Sequence, residues 1–180
     1  MLTPENTVLL IVDVQEKLLP VMFEKEILLS NLQKLVKGSL LLEIPIIFTE
    51  QNPAGLGRTV RELIDLNPGV MPISKFDFSC CADPDFNEKL RILGRHQVLV
   101  SGIESHICVY QTSMDLLSNG YEVHMVSDCV SSRTCQNKEL ALRRMACERV
   151  KLTGVEMALF ELVRSSKSRQ FKAISSLIKD

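Results

Sequence analysis

The run Thr7-Val8-Leu9-Leu10-Ile11-Val12 is apolar at every position after the first. Continuous apolar runs of this length are typical of strands buried on both faces, as in the parallel sheet of an α/β protein. Similar runs recur along the chain and predict strands over 7–12, 46–49, 70–74, 97–101, 121–126 and 150–153. The pattern indicates a three-layer α/β/α fold with a mostly parallel central sheet of about six strands.

Segments with helical periodicity separate these strands. In the first of them Leu28, Leu32, Leu35 and Val36 recur at the spacing of one helix face. We predict helices over 24–42, 59–65, 84–94, 105–120, 137–146, 155–164 and 171–178. Because no repeat, low-complexity segment or linker divides the sequence, we expect residues 1–180 to form a single domain.

Charge and hydropathy exclude several classes of partner. A net charge of −1 provides no general attraction for nucleic acid or for an anionic membrane. No apolar run approaches the roughly 20 residues that cross a bilayer. The first residues show no signal-like segment, so we expect a cytoplasmic protein that acts on a small molecule, without nucleic-acid or membrane partners.

The cysteines and histidines give no sign of a disulfide framework or a metal site. Six cysteines stand at positions 80, 81, 108, 129, 135 and 147. In a chain without secretory features, free thiols are the expected state. No CxxC motif occurs, and the three histidines lack metal-ligand spacing. We therefore expect no metal and no cofactor.

The segment Gly102–Val109 carries the strongest candidate nucleophile. It follows the predicted strand 97–101 as a glycine, a short turn and a helix start that contains Cys108. With Ser105 as N-cap, Cys108 falls at the third helical position. Helix N-termini have unpaired N–H groups and a partial positive charge, and both stabilise a thiolate. The pattern thus predicts an anionic Cys108; Cys129, after the next strand, is a weaker alternative.

Two charged residues are predicted to accompany this thiol. Asp13 ends the first strand and Lys75 follows the third. Ligands of open parallel sheets bind where the carboxyl ends of the strands meet. There the carboxylate of Asp13 can take the proton of Cys108, while Lys75 orients that carboxylate. A buried, inert Cys108 is the structural alternative.

Four further side chains are candidates for the site. Gln15 and Gln51 follow the first two strands and are candidates for hydrogen bonding within it. Phe76 and Phe78 come directly after Lys75, where they either line a substrate pocket or pack in the core. The pair Cys80 and Cys81 follows Lys75 closely and is expected near the pocket; we interpret it as packing, with redox chemistry as the alternative.

Taken together, these motifs resemble the isochorismatase-like cysteine hydrolases, a superfamily that includes nicotinamidases and N-carbamoylsarcosine amidohydrolases. The chain is most similar to the subgroup of isochorismatase domain-containing proteins. The resemblance extends over nearly the whole chain, and the segments that carry it are Val12–Gln15, Thr49–Pro53, Lys75, Gly102–Val109, Gly120–Val123 and Asp128–Arg133.

The resemblance implies a catalytic triad of Asp13, Lys75 and Cys108. It also implies a cis peptide at Ile103–Glu104, an oxyanion hole made by the backbone N–H groups of Glu104 and Cys108, and a homo-oligomer. The segment Thr49–Pro53 lacks the histidine of the nicotinamidase metal cluster, which argues against a metal-dependent nicotinamidase.

We therefore expect hydrolysis of an amide-like C–N bond through a thioester. Isochorismatase-type cleavage of a vinyl ether, a non-catalytic scaffold and a redox sensor that uses Cys108 are the alternatives.

Overall fold

Six strands form the central sheet of the computed structural model, which describes residues 1–179. They are β1 (Thr7–Val12), β2 (Ile46–Gln51), β3 (Ile73–Lys75), β4 (Gln97–Ile103), β5 (Glu122–Ser131) and β6 (Lys151–Thr153). Their order is β3-β2-β1-β4-β5-β6, and every neighbouring pair is parallel. The predicted α/β class is confirmed.

Helices cover both faces of this sheet. They are α1 (Lys25–Leu41), α2 (Pro53–Leu56), α3 (Arg61–Ile64), α4 (Pro84–Leu93), α5 (Tyr110–Ser118), α6 (Cys135–Cys147), α7 (Val155–Val163) and α8 (Phe171–Lys179). Leu9 and Ile11 of β1 pack in one cluster with α1, α7 and α8, whereas Val8 and Leu10 pack in a second cluster with α4, α5 and α6. The three-layer arrangement follows from this alternation. None of the helices within residues 1–179 has the length and apolar character needed to cross a membrane.

The strand order reverses beside β1, and this reversal creates the crevice of the molecule. The chain passes from β1 to β2 and β3 on one side, then returns to add β4 on the other. Such a switch point opens a cleft at the carboxyl ends of the two central strands. Gly102, near the end of β4, has φ +109°, and a Cβ there would collide with the backbone of Val12. Only glycine permits this close approach of β4 to β1.

Five of the six strands differ from their predicted bounds, and β3 and β5 differ most. The third begins at Ile73 rather than residue 70, and Lys75 is its last residue instead of following it. β5 continues to Ser131, five residues past the predicted end at 126. The polar pair Ser127 and Asp128 interrupts the apolar pattern there. The strand nevertheless resumes pairing with β4 after a register shift.

The turn that carries the candidate nucleophile also departs from the prediction. Ser105–Val109 form a π-helical turn, and α5 begins only after it. The prediction of Ser105 as N-cap is wrong, because Glu104 occupies the cap and makes no side-chain capping bond. The Ser105 hydroxyl is buried without a hydrogen-bond partner in the described part of the chain. The cis peptide expected at Ile103–Glu104 is present.

Candidate active site

Three side chains from distant parts of the sequence meet at the carboxyl edge of the sheet. Asp13 follows β1, Lys75 ends β3, and Cys108 lies in the π-helical turn after β4. Lys75 Nζ is 2.7 Å from Asp13 Oδ2, and the charges of both side chains act on the pKa of the Cys108 thiol. Asp13 and Lys75 are buried, and only 7% of Cys108 is exposed. The structure thus brings together the three predicted catalytic side chains.

The carboxylate of Asp13 is held on both sides. The residue has φ +53°, in the left-handed region that aspartate tolerates better than most side chains. Its backbone N–H donates to Thr49 O at 3.2 Å. Oδ1 accepts a 2.7 Å hydrogen bond from Thr49 Oγ1, while Oδ2 receives the Lys75 ammonium. These contacts fix the orientation of the carboxylate.

The ammonium of Lys75 is surrounded by acceptors. Its partners are Asp13 Oδ2 at 2.7 Å, Gln51 Oε1 at 2.8 Å, Phe78 O at 3.1 Å and Asp77 O at 3.2 Å. Burial, the largest influence, lowers the pKa of Lys75, but the Asp13 carboxylate together with the sulfurs of Cys80 and Cys108 raises it above its usual value. Lys75 therefore stays charged, which suits it to orient Asp13 rather than to accept a proton.

The electrostatics of the Cys108 thiol contradict the sequence-based expectation. Burial, followed by the neighbouring Asp13 carboxylate, raises the pKa of Cys108 to about 12, although Lys75 acts in the opposite direction. The predicted anionic thiol is therefore wrong, and the resting sulfur carries its proton. The physical cause is that burial and the nearby carboxylate both disfavour the charged form of the thiol. The thiol consequently needs a base at the moment of attack.

The two candidate glutamines have different positions. Gln51 contacts the triad, because its Oε1 accepts from Lys75 and its Nε2 donates to Phe76 O at 2.6 Å. Gln15 is fully buried and bonds only to backbone, through Gln51 N at 2.8 Å, Gln51 O at 3.0 Å and Gly57 O at 2.7 Å. The Gln15 side chain therefore stabilises the backbone at the end of β2, whereas the Gln51 side chain contacts Lys75 of the triad.

The two phenylalanines after Lys75 are exposed. Phe76 is 78% exposed and Phe78 52%, so core packing does not describe them. Their carbonyl groups take part in the site, since Phe76 O accepts from Gln51 and Phe78 O accepts from Lys75. Lining of a substrate pocket by the two rings stays a prediction.

The rest of the edge is polar, and sequence reasoning missed some of it. Arg133 donates from Nε to Glu104 Oε2 at 3.1 Å, and its backbone N–H donates to the same oxygen at 3.3 Å. Neither this pair nor the contact of Thr49 with Asp13 was anticipated. Position along the chain could have indicated both contacts, because Thr49 lies near the end of β2 and Arg133 lies just past the end of β5.

The triad is largely buried, with 7% of Cys108 exposed. Five surface cavities of about 220–520 Å³ in the described part of the chain are lined by other residues. Across residues 1–179, no three His, Cys, Asp or Glu side chains are grouped so as to hold a metal ion. All six cysteines are free thiols, as expected.

Comparisons with known proteins find relatives along nearly the whole chain. The family model for the isochorismatase domain matches residues 7–157. The secreted isochorismatase effector Isc1 of Phytophthora sojae is 38% identical over 184 residues, which cover 99% of this chain and 87% of the effector. Isochorismatase domain-containing protein 1 of Salmo salar is 37% identical over 178 residues; the match covers 99% of this chain but 62% of that protein. The solved structure of MAR1 ribonuclease from Caenorhabditis elegans has a TM-score of 0.93 at 35% identity, covering 99% of this chain and 92% of that one.

Proposed function

This chain belongs to the isochorismatase family of hydrolases, and from that premise we propose that it is a cysteine hydrolase for an amide-like C–N bond of a small molecule. Cys108 is the nucleophile, Asp13 the base and Lys75 the cation that orients Asp13. The observation that carries the proposal is a buried thiol whose pKa is raised by burial and by the Asp13 carboxylate, while Lys75 Nζ holds that carboxylate at 2.7 Å. A thiol in this state needs a base when it attacks, and Asp13 is the base that we assign.

In the first half of the reaction, Asp13 takes the Cys108 proton as the sulfur attacks the carbonyl carbon. A C–S bond forms and the carbonyl π electrons move onto oxygen. The backbone N–H groups of Glu104 and Cys108 donate to that oxyanion. Loss of one such donor typically costs about 3 kcal/mol of transition-state stabilisation.

In the second half, the tetrahedral intermediate collapses. The C–N bond breaks, and the leaving nitrogen takes the proton held by Asp13. The thioester that remains is attacked by water, which Asp13 deprotonates. Cleavage of the C–S bond releases the acid, and the sulfur recovers its proton. Each step uses only side chains and backbone of this chain.

The position of Cys108 favours this route over vinyl ether hydrolysis. Hydrolysis of a vinyl ether starts with protonation of carbon, and a nucleophilic thiol contributes nothing to that step. Here the thiol lies within the electrostatic influence of a carboxylate that Thr49 and Lys75 hold in a fixed orientation. Covalent attack on a carbonyl makes use of both groups.

The proposed partner is a small molecule, and we propose no nucleic-acid or membrane partner. The relative from C. elegans is named a ribonuclease. In this chain the net charge of −1 and the buried triad favour a small substrate over a polynucleotide. Six free thiols suit a reducing compartment, which supports a cytoplasmic location. We also propose that the protein forms a homo-oligomer, and membership of the family is the support for this part of the proposal.

The test is a hydrolysis screen with small primary amides, a small vinyl ether and a single-stranded RNA. Ammonia release reports amide cleavage, and chromatography of the products reports cleavage of the ether and the RNA, for the wild type, Cys108→Ala and Asp13→Asn. Cys81→Ala serves as the matched control, since this thiol lies outside the triad. We expect amide hydrolysis in the wild type and in the control, with loss in the other two variants. Undiminished amide turnover by Cys108→Ala, or activity confined to the vinyl ether or RNA, contradicts the proposal.

A further inference from the structure

A second thiol lies beside the triad, and the proposed hydrolysis does not use it. Cys80 is fully buried in the short 3₁₀ turn Cys80–Ala82 after β3. Its Sγ is 3.7 Å from Thr49 Oγ1, the hydroxyl that donates to Asp13 Oδ1 at 2.7 Å. One hydroxyl group therefore separates this thiol from the proposed base.

A second contact places Cys80 against the helical segment of Cys108. The backbone N–H of Cys80 donates to Thr112 Oγ1 at 2.9 Å. Thr112 follows Cys108 by four residues in one continuous helical segment. Side chains at that spacing are neighbours, with about 5–6 Å between their Cβ atoms. Cys80 is thus held from two sides, by Thr49, which bonds Asp13, and by the segment that carries the nucleophile.

The two thiols share one electrostatic environment. Burial and the Asp13 carboxylate raise the pKa of Cys80 to about 11, while Lys75 acts in the opposite direction. The same groups act on Cys108. Both sulfurs are therefore protonated at rest, and Asp13 is the nearby group that can receive a proton from either. The neighbouring Cys81 has a different contact, because its Sγ lies 4.0 Å from the backbone oxygen of Thr112.

We propose that Cys80 is the resolving thiol of Cys108 and forms a reversible disulfide with it when a hydroperoxide oxidises the nucleophile. This inference rests on the proposed function only in so far as it requires a reactive Cys108. It goes beyond hydrolysis, because it assigns a modification site and a role to a side chain that was interpreted from sequence as packing.

The chemistry balances in two steps. Cys108 sulfur, deprotonated by Asp13, attacks one oxygen of the hydroperoxide. An S–O bond forms, the O–O bond breaks, and an alcohol or water leaves with the proton. Sulfur loses two electrons and the peroxide gains them. Cys80 sulfur then attacks Cys108 sulfur, so that an S–S bond forms, the S–O bond breaks and water leaves.

Disulfide formation has two consequences for the protein. It removes the nucleophile, so hydrolysis stops until an external dithiol reduces the bond. It also prevents further oxidation of Cys108 to the sulfinic acid, which thiols do not reduce.

The test is peptide mapping of the purified protein after treatment with a small excess of hydrogen peroxide and alkylation of the remaining thiols. In the wild type we expect a peptide that links Cys80 to Cys108, lost on dithiothreitol treatment. Cys81→Ser, the matched control, is expected to form the same link. Cys80→Ser is expected to trap Cys108 as a dimedone-reactive sulfenic acid that proceeds to sulfinic acid.

The proposal is overturned if wild type and Cys80→Ser convert Cys108 to sulfinic acid at equal rates with no cross-link, or if Cys81 forms the link. The peptide map of the wild type tests the proposal even if the Cys80→Ser variant does not fold. Because the readout is mass and not turnover, its result is separate from that of the amide screen.

Discussion

Lys75 Nζ and Asp13 Oδ2 are 2.7 Å apart in a part of the molecule that solvent hardly reaches. Removing two charges from water is costly, so such a pair is weak evidence for stability by itself. Further hydrogen bonds from Thr49 to Asp13 and from Lys75 to Gln51 satisfy the remaining lone pairs and protons. Asp13, held in place by Lys75, is therefore a rigid, charged base beside the thiol of Cys108.

Removal of the ammonium is expected to destabilise the fold strongly. Lys75→Met leaves the Asp13 carboxylate buried without a counter-charge, and breaking a buried pair in this way costs about 3–5 kcal/mol. The free energy of unfolding in urea at pH 7 measures this loss. The double variant Asp13→Asn/Lys75→Met is expected to regain much of it while remaining inactive. A Lys75→Met protein as stable as the wild type argues against the charged pair.

Thr49 is expected to act as a positioning residue for Asp13. Thr49→Val removes the donor to Oδ1, and a hydrogen bond to a charged group contributes about 1.5–3 kcal/mol. Since about 1.4 kcal/mol corresponds to a tenfold change in rate, we expect kcat/KM to fall about 10- to 100-fold. Thr49→Ser keeps the hydroxyl and is expected to retain most of the activity. Equal effects of the two substitutions would show that the hydroxyl does not matter.

Gln51 is expected to affect turnover more than substrate binding. Gln51→Met removes an acceptor from Lys75 and the donor to Phe76 O. We expect kcat to fall about tenfold or more because a hydrogen bond to the ammonium is lost. Gln51→Glu preserves the acceptor and should lie between this variant and the wild type. Gln33→Met, in α1, provides the control because this amide donates to Glu62 O and not to the triad; a matching loss there contradicts the assignment.

The reactivity of Cys108 should depend steeply on pH. With the pKa of Cys108 at about 12, the thiolate fraction rises with pH throughout the accessible range. Alkylation by iodoacetamide is therefore expected to accelerate about tenfold per pH unit between roughly pH 7 and 9, without a plateau. Peptide mapping compares Cys108 with the exposed Cys147 in the same sample. If the alkylation rate of Cys108 instead levels off below pH 8, the thiol is anionic at rest and its pKa is not raised.

The sequence was sufficient to predict the architecture and the three meeting side chains. Parallel strands converge at their carboxyl ends, so Asp13, Lys75 and Cys108 were expected at one edge without knowledge of any distance. The continuous apolar run of β1 predicted burial on both faces, and both are covered.

Other features depend on three-dimensional packing and were beyond sequence reasoning. A single turn of π-helix has no periodicity that distinguishes it from an α-helix start, so Ser105 was misassigned. The protonation of Cys108 depends on the balance of burial, Asp13 and Lys75, which is decided by distances. The contacts of Thr49 and Cys80 depend on side-chain directions at the ends of β2 and β3.

The most direct measurement of the central claim is the intact mass of the protein, quenched in acid during turnover of an amide that it hydrolyses. The account predicts a wild-type species heavier by the acyl group, with peptide mapping that locates the adduct on Cys108 and hydroxylamine that removes it. Cys108→Ala is predicted to give neither adduct nor turnover. Turnover by Cys108→Ala, or an acyl group carried by a different residue, would contradict it.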